Sequence, residues 1–587
     1  MKRAIPVRSA LIPEVDRVAS AGVSPLIVNQ MNLPEPQSVT FPSLFDQIRN
    51  GTIKIPQFQR DFVWTKAQSA RLLDSIIKGY PIGTFIFWGT QERLRSIRNL
   101  GGIELPDTPA GNAVRYVLDG QQRMTSLFVT LNGLSVHRED HEDDYSQMWL
   151  DLAATEEDDL VLLDIKDREE SSIIRLHDLL HGEFDYLASF PKAAQQRIKL
   201  YKNRIESYQF SAVQITDAPI DVATEIFTRL NVGGKPLTPF EIMVAKTYDP
   251  AAGFDLSEKF GALIEELAEI EYETIAESNL LQAIAIFLGK DAKRKSILRL
   301  KREDVIATWP LVVDGVKRAI DYFRSAYGIP ASRLLPYPAL VIPFAYFLHH
   351  HKKNPSGKRA KYLEDFFWRV SLSGRYSSGL EGRVVQDIAK IDAILEDRKP
   401  TYEWAVDVSA TFIQDNGYFS TGRSFIKAML CLMARKGPRS FDTNVPVQLD
   451  NDWLKQANSK NYHHFFPKSV LKKWGVEDRW ANHIANITLV DDYLNKRVIG
   501  TQAPATYIKK FAKENEHLER TLATHLIGKP DQTGIMANDY DTFFAKRCQK
   551  ISRELQKLIL PSEVDDRLRP DAAVDTASGD DAWGEEG

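Results

Sequence analysis

Two adjacent histidines near the carboxyl-terminal end of the chain carry the strongest chemical signal. Asn486 and Asn495 follow His464 by 22 and 31 residues. Hydrolysis of a phosphodiester needs a base for water, a cation on the phosphate and stabilisation of the leaving oxygen. A neutral imidazole can be the base, while His463 and an amide from a following helix can hold one divalent ion. The pattern supplies the groups that a phosphodiesterase centre needs, although two adjacent histidines by themselves are more often surface or packing residues.

A second constellation lies in the N-terminal half, where residues 115–118 predict a strand that runs directly into the string DGQQR at 119–123. Such a strand, turn and helix start presents backbone N–H groups and the positive end of a helix dipole, which bind anions. Arg123 can reach a phosphate, Arg60 offers a second charge, and Asp119 can hold a metal ion or orient an arginine. The string alone fits a capped helix start equally well.

Local signals predict the elements around this second constellation. Thr65 and Gln68 match a capping box, and an apolar stripe at helical spacing follows them as far as Gly79. Residues 84–88 (TFIFW) predict a buried strand. Residues 238–241 (TPFE) contain the cap, the proline and the glutamate of a further helix start.

The second half of the chain divides by pattern and charge. Amphipathic helical patterns dominate from about residue 252 to 440, which predicts a helical middle domain. Residues 451–560 carry 18 Lys and Arg against 12 Asp and Glu, whereas residues 561–587 carry 2 against 9. This distribution is compatible with a polyanion-binding domain followed by a solvated acidic tail. Solvated protein faces explain so small an imbalance equally well.

Bulk properties limit the class of protein. A chain of 587 residues is too long for one hydrophobic core, and its 43% hydrophobic and 26% charged residues are ordinary for a globular protein. No apolar run approaches the ~20 residues that span a bilayer, and we find no signal peptide. The two cysteines exclude a disulfide framework and a Cys-ligated zinc site. We therefore expect a cytoplasmic protein without a membrane partner.

Motifs around the histidine pair identify a related family. The string His464-Phe-Phe-Pro, the string Asn486-Ile-Thr-Leu and the pair Asn495-Lys496 resemble the H-x-x-P, N-[LI]-T-L and N-K motifs of the HNH nuclease domain in GmrSD-type restriction enzymes. The resemblance implies that His464 is the general base, that Asn486 holds the loop that orients it, and that Lys496 contacts phosphate. It also implies that His463 and Asn495 bind a divalent metal, Mg or Mn.

This chain departs from the family at one ligand position. Many relatives have an acidic residue where it has His463. The departure makes the metal site less negative and more tolerant of borderline metals such as Mn, Ni or Zn. We therefore do not expect a strict requirement for Mg.

Strings of the N-terminal half resemble the ParB-like N-terminal domain of the same GmrSD-type enzymes, which is associated with nucleotide binding and hydrolysis. They are IPQFQRDFVW at 55–64, GYPIG at 79–83, DGQQR at 119–123 and FTRLNVGGK at 227–235. The resemblance implies a nucleoside triphosphate site, and Arg229 and Asn231 are weaker candidates for it. The residues expected to line this site are Gln59, Arg60, Asp119, Gly120, Gln121, Gln122 and Arg123.

These patterns together predict a multidomain α/β plus α chain. A ParB-like N-terminal domain comes first, then a helical middle domain, then a C-terminal HNH (ββα-metal) nuclease. The expected parts are an N-terminal arm (1–37), a ParB-like nucleotide-binding and sensor domain (38–250), a helical connector (251–444), an HNH nuclease domain (445–560) and an acidic disordered tail (561–587).

The predicted function is that of a nucleotide-regulated DNA endonuclease, which cleaves or nicks phage DNA or modified foreign DNA in defence. One alternative is a less discriminating DNase triggered by infection. Another is a nucleotide-dependent ParB-like switch that binds DNA through an inactive HNH unit. The expected partners are DNA and a nucleotide, and the chain pattern leaves self-association into a homo-oligomer open.

Overall fold

The structure is a computed structural model of a mixed α/β, multidomain chain. It describes residues 33–59, 62–97, 99–100, 103–138, 141–155, 157–166, 168–230, 237–455, 462–490 and 494–565. Residues 1–32 of the predicted arm and 566–587 of the predicted acidic tail lie outside this description.

The N-terminal part combines a central sheet with helices on both faces. Its strands are β1 (Glu35–Thr40), β2 (Ile53–Lys54), β3 (Phe85–Thr90), β4 (Asn99–Leu100), β5 (Ile103–Glu104), β6 (Val114–Asp119), β7 (Ser135–His137), β8 (Glu142–Asp144), β9 (Trp149–Asp151), β10 (Val161–Leu162), β11 (Ile173–Arg175) and β12 (Gln209–Thr216). Its helices are α1 (Phe41–Arg49), α2 (Lys66–Lys78), α3 (Gln121–Leu131), α4 (Leu176–His181), α5 (Phe184–Ala188), α6 (Lys192–Glu206), α7 (Ile220–Leu230) and α8 (Pro239–Thr247).

The central sheet has the strand order β1-β12-β3-β6-β2. The β12–β3 and β2–β6 pairs are parallel, while β1–β12 and β3–β6 are antiparallel. Along β3, Phe85 and Phe87 pack into one hydrophobic core, whereas Ile86 and Trp88 pack into another on the opposite face. Because side chains alternate along a strand, a run of apolar residues fits a sheet that is buried on both faces. The predicted buried strand at 84–88 is thereby confirmed.

Local capping signals place the helices next to this sheet. Thr65 and Gln68 form the predicted capping box at the start of α2, and Gly79 ends that helix in the left-handed conformation. A second capping box joins Thr238 and Glu241 at the start of α8. Both predicted helix starts are therefore confirmed. Each box satisfies backbone N–H groups that a helix start otherwise leaves without an acceptor.

The middle of the chain is helical, as predicted from its amphipathic patterns. Its helices are α9 (Leu256–Ala268), α10 (Glu277–Gly289), α11 (Arg294–Arg299), α12 (Arg302–Tyr327), α13 (Val341–His350), α14 (Gly357–Leu372), α15 (Leu380–Leu395), α16 (Ala410–Asn416) and α17 (Ser424–Arg435). The C-terminal part contains α18 (Asn451–Lys455), β13 (Tyr462–His464), α19 (Lys468–Lys473), α20 (Asp478–Ala481), β14 (Ile487–Leu489), the π-helical segment Leu494–Ile499, α21 (Pro504–Glu514), α22 (Leu518–Thr524) and α23 (Tyr540–Gln556).

One hydrophobic cluster connects the parts of the molecule. It extends from Trp88 in the N-terminal sheet through Phe344 of α13 to Ile487 in β14 and Ile551 in α23. A separate cluster fills the C-terminal part around Phe465. The helical middle domain thus shares its core with both ends of the chain. None of the helices in the described ranges is long and apolar enough to cross a membrane.

A glycine at the turn from β6 to α3 is needed for both its conformation and its size. Gly120 has φ +94°, and a Cβ there would lie 2.4 Å from Phe85 Cδ1. Gly79 also has a positive φ, of +79°, but a Cβ there would meet nothing within 4 Å. A comparison of substitutions at these two glycines therefore separates the cost of a positive φ from the cost of steric overlap.

We expect Gly120→Ala to lower the free energy of unfolding by about 2–4 kcal/mol, because it adds overlap with a buried ring to the strain of a positive φ. The control Gly79→Ala carries the strain alone and should cost about 1 kcal/mol. Urea denaturation of both variants measures the difference. Equal losses would show that Phe85 moves aside without cost.

Candidate functional site

The two histidines of the C-terminal part lie on a short antiparallel pair of strands. β13 pairs with β14 so that His463 is opposite Thr488 and His464 is opposite Ile487. Successive side chains of a strand point to opposite faces, so the two imidazoles lie on opposite sides of this pair. His463 is buried, whereas His464 is partly exposed. Of the two rings, His464 is therefore the one that solvent reaches directly.

The imidazole of His464 is held by an amide. Its Nε2 lies 2.9 Å from Oδ1 of Asn482, a residue that sequence analysis did not single out. Burial lowers the pKa of His464 below its usual 6.5, the hydrogen bond to Asn482 opposes this effect, and the nearby charge of Lys468 adds to it. The ring is therefore neutral near pH 7, which is the form that a general base requires.

His463 is neutral for a stronger reason. Burial lowers its pKa to about 3, and its ring lies beside Phe441, Phe465 and Tyr507. Its Nδ1 lies 2.8 Å from the hydroxyl oxygen of Thr488. That hydroxyl donates to the backbone carbonyl of His463 at 3.4 Å, so Nδ1 is the donor and Nε2 keeps its lone pair.

The second ring nitrogen of His463, Nε2, is the atom that would bind the predicted metal ion. This atom is buried and has no hydrogen-bond partner in the described part of the chain. A neutral imidazole nitrogen with a free lone pair is a common metal ligand. The donor chemistry of His463 therefore fits the ligand role that the resemblance implies.

Asn486 holds the loop that follows β13. Its side-chain oxygen accepts from the backbone N–H of Phe466 at 2.8 Å, and its amide nitrogen donates to the carbonyl oxygens of Phe466 and Ala481, both at 2.9 Å. The side chain is completely buried. Asn486 therefore contacts backbone rather than substrate, in keeping with the loop-holding role implied for it.

The two remaining predicted residues of this centre lie in the π-helical segment. Asn495 and Lys496 belong to Leu494–Ile499, and their side chains lie outside the described part of the structure. Among the described residues, no group of three or more His, Cys, Asp and Glu side chains could hold a metal ion. Metal binding by His463 and Asn495 and phosphate contact by Lys496 stay predictions.

A buried arginine forms hydrogen bonds to the backbone next to the strand pair. Arg547 of α23 donates to the carbonyl oxygens of Ala485 at 2.9 Å and His525 at 3.0 Å. Burial lowers its pKa to about 9. Sequence analysis missed this residue, although a single arginine within the apolar stripe of α23 was a visible signal. Arg547 ties α23 to the residue that precedes Asn486.

The DGQQR constellation forms one network around the start of α3. The Gln122 side-chain oxygen accepts from the backbone N–H groups of Val63 at 2.9 Å and Trp64 at 3.3 Å. Gln59 donates to the carbonyl oxygen of Val117 in β6. The two glutamines therefore hold the preceding loop against the sheet and the helix start. Gln121 is buried at the first position of α3.

Arg123 is directed toward a neighbouring loop. Its guanidinium donates to the carbonyl oxygens of Ile82 at 2.8 Å and Thr84 at 3.0 Å. It also pairs with Asp119 at 2.9 Å, and the Asp119 side chain is 39% exposed. A phosphate would therefore have to share Arg123 with these oxygens, whereas Asp119 is open to solvent.

The structure brings Gln59, Asp119, Gln122 and Arg123 together. Arg60 and Asn231 lie outside the described residues. Arg229 is exposed and pairs with Glu225 at 2.8 Å on α7.

Two family models match this chain. The model of the GmrSD restriction endonuclease N-terminal domain matches residues 41–248, and that of the GmrSD restriction endonuclease C-terminal domain matches residues 409–558. An uncharacterized protein of Methanocaldococcus jannaschii is 25% identical over 512 residues, which cover 78% of this chain and 84% of that protein.

The two matches together cover more than half of the chain, which belongs to the GmrSD restriction endonuclease family. Its activity is accordingly that of a DNA endonuclease that acts in defence. The second match begins at residue 409 and so includes α16 and α17, which precede the histidine strand. The domain boundaries expected from sequence stay predictions.

Buried histidines predict how this part of the molecule responds to acid. Burial lowers the pKa of His483 and of His525 to about 4. Below pH 6.5 the unfolded chain binds protons that these rings cannot bind in the fold. Stability that is present above pH 6.5 is therefore lost as the pH falls toward 4, by about 1.4 kcal/mol per pH unit for each ring.

We expect His525→Gln to make the free energy of unfolding less dependent on pH between 6.5 and 4, because glutamine keeps a donor for the Arg439 carbonyl oxygen that His525 contacts at 2.8 Å and does not titrate. Urea denaturation at pH 7.5, 6 and 5 measures the dependence. The control His517→Gln changes an exposed ring and should leave it unchanged. If the free energy of unfolding fell equally with pH in both variants, the buried neutral state of His525 would be contradicted.

Proposed function

We propose that this restriction endonuclease cleaves or nicks DNA with an HNH-type, metal-dependent centre at His464, under the control of a nucleotide bound by the ParB-like N-terminal domain. The observation that carries the proposal is the β13–β14 pair. It presents a neutral, partly exposed His464 while Asn486 holds the loop that follows. A neutral base on a fixed strand next to a held loop is what phosphodiester hydrolysis requires.

The chemistry follows from the placement of His464. Its ring takes a proton from water while the water oxygen bonds to phosphorus and the bond from phosphorus to the leaving oxygen breaks. A divalent ion, Mg or Mn, held by His463 and Asn495 would bind the phosphate and stabilise the charge on the leaving oxygen. The free lone pair of buried His463 Nε2 supports this ligand assignment. Lys496 is proposed as a phosphate contact.

Nucleotide control rests on the DGQQR network. The turn at Gly120 and the start of α3 bring backbone N–H groups, a half-exposed Asp119 and the Arg123 guanidinium together. Helix starts of this kind bind phosphate groups. We assign the nucleoside triphosphate to this end of α3 and its hydrolysis to the same domain.

The target is proposed to be foreign DNA that carries modified bases or a modified backbone. The histidine strand has no means of recognising a modification, so the N-terminal or middle domain must do so. Two other functions are outcomes of the cleavage experiment below. An indiscriminate DNase would cut every DNA equally, and a DNA-binding switch with an inactive HNH unit would cut none.

We expect His464→Ala to lower plasmid cleavage by about 10²–10⁴-fold, because the proton acceptor is lost, while DNA binding stays at the wild-type level. The assay compares unmodified and phage-modified DNA with Mg or Mn, with and without nucleoside triphosphate. The exposed His517→Ala is the matched control. Metal-dependent cleavage that survives in His464→Ala would refute the assignment of the base.

We expect a nucleoside triphosphate to raise the thermal midpoint of the wild type, since a ligand that binds only the folded state stabilises it. Asp119→Ala should abolish this shift. Glu225→Ala breaks an exposed ion pair with the same four-residue separation and should retain the shift. Scans with ATP, GTP, CTP and UTP measure the effect. The absence of a shift with all four in wild-type protein would count against the nucleotide site.

A further inference from the structure

The contact between His464 and Asn482 determines which nitrogen of His464 carries the proton. An asparagine side chain has one acceptor end and one donor end. Nδ2 of Asn482 faces the carbonyl oxygen of Phe419 at 3.3 Å, so the donor end is directed there. The acceptor end, Oδ1, then lies 2.9 Å from His464 Nε2. Because Oδ1 can only accept, Nε2 must carry hydrogen, and the lone pair of the neutral ring is on Nδ1.

The partner of Asn482 is itself fixed by backbone hydrogen bonds. The N–H of Phe419 donates to the carbonyl oxygen of Asn482 at 3.0 Å, and the N–H of Ile484 donates to the carbonyl oxygen of Gly417 at 2.8 Å. These bonds join residues 417–419, the loop after α16, to residues 482–484. The Phe419 carbonyl oxygen therefore cannot turn away from the Asn482 amide without breaking this pairing.

A second histidine anchors the same loop. His483 Nδ1 accepts from the N–H of Ala485 at 3.0 Å, and Nε2 faces the carbonyl oxygens of Ile413 and Gln414, both at 3.1 Å. The ring passes so close to Gly417 that a Cβ there would lie 2.4 Å from its Nε2. The end of α16 is thus held against the residue next to Asn482, and only glycine fits at 417.

We propose that Asn482, held by the loop at 417–419, is a positioning residue that keeps His464 in the tautomer with hydrogen on Nε2, so that Nδ1 is the nitrogen that takes the proton from water. This inference rests on the proposed function and specifies the base within it. It also gives residues 409–419, which precede the histidine strand by more than forty positions, a direct part in organising the centre.

The first test compares three variants of the full-length enzyme. Asn482→Ala removes the acceptor, and we expect kcat to fall about 10- to 100-fold with little change in KM, the usual cost of losing a residue that orients an active group. Asn482→Asp retains an oxygen acceptor for Nε2 and should recover most of kcat. Asn515→Ala, the control, removes a buried amide that bonds to Phe441 and Thr521 in the same part of the chain. It should lower stability but not kcat.

Two results would overturn the proposal. One is a wild-type kcat in Asn482→Ala when His464→Ala is inactive. The other is an equal loss of kcat in Asn515→Ala and Asn482→Ala when the two variants have the same thermal midpoint. Inactive wild-type enzyme with every metal would instead refute the proposed nuclease centre, and the tautomer then has to be measured directly.

That measurement is ¹⁵N NMR of histidine side chains in the metal-free protein, with the His464 signal identified by its absence in His464→Ala. We expect hydrogen on Nε2 in the wild type and a mixture of tautomers in Asn482→Ala. Gly417→Ala, which forces His483 and the loop apart, should give the same mixture, whereas Gly422→Ala has open space at its Cβ and should not. Hydrogen on Nδ1 in the wild type would disprove the inference independently of any cleavage assay.

Discussion

The alternation of side chains along β13 is the constraint on which the candidate centre depends. Two adjacent histidines on a strand must point to opposite faces. His463 therefore lies in the interior with a pKa of about 3, while His464 reaches solvent. A helix at this position would place the two rings only about 100° apart around one axis.

The buried side chains of Asn486 and Arg547 stabilise this arrangement through hydrogen bonds to backbone groups. The amide of Asn486 bonds on both ends to the loop after β13, and the Arg547 guanidinium bonds to the carbonyl oxygens of Ala485 and His525. A buried guanidinium without partners is costly to desolvate. The removal of one partner would leave a buried donor or acceptor unpaired, which costs about 1–3 kcal/mol.

The parts of the chain are joined by shared packing. The cluster that begins at Trp88 continues through the middle helices to α23. Near the end of the described chain, the buried Arg369 of α14 pairs with Asp365 at 3.0 Å and with Asp565 at 2.6 Å. The segment that follows α23 is thereby attached to the middle domain. The N-terminal sheet and the strand pair therefore share one continuous hydrophobic core.

Local elements of the structure could be predicted from the sequence by itself. The capping boxes at Thr65 and Thr238 and the buried strand at 84–88 depend on residues that are near each other in the chain, so spacing alone predicts them. The histidine motif was recognised by its resemblance to a known family. The partners of the motif did not follow from spacing. Asn482 and Arg547 act through contacts with loops and carbonyl groups far away in sequence. Sequence determined which side chains can do the chemistry, whereas tertiary packing decided which histidine is exposed and which of its nitrogens keeps a lone pair, because burial and hydrogen-bond direction exist only in the folded chain.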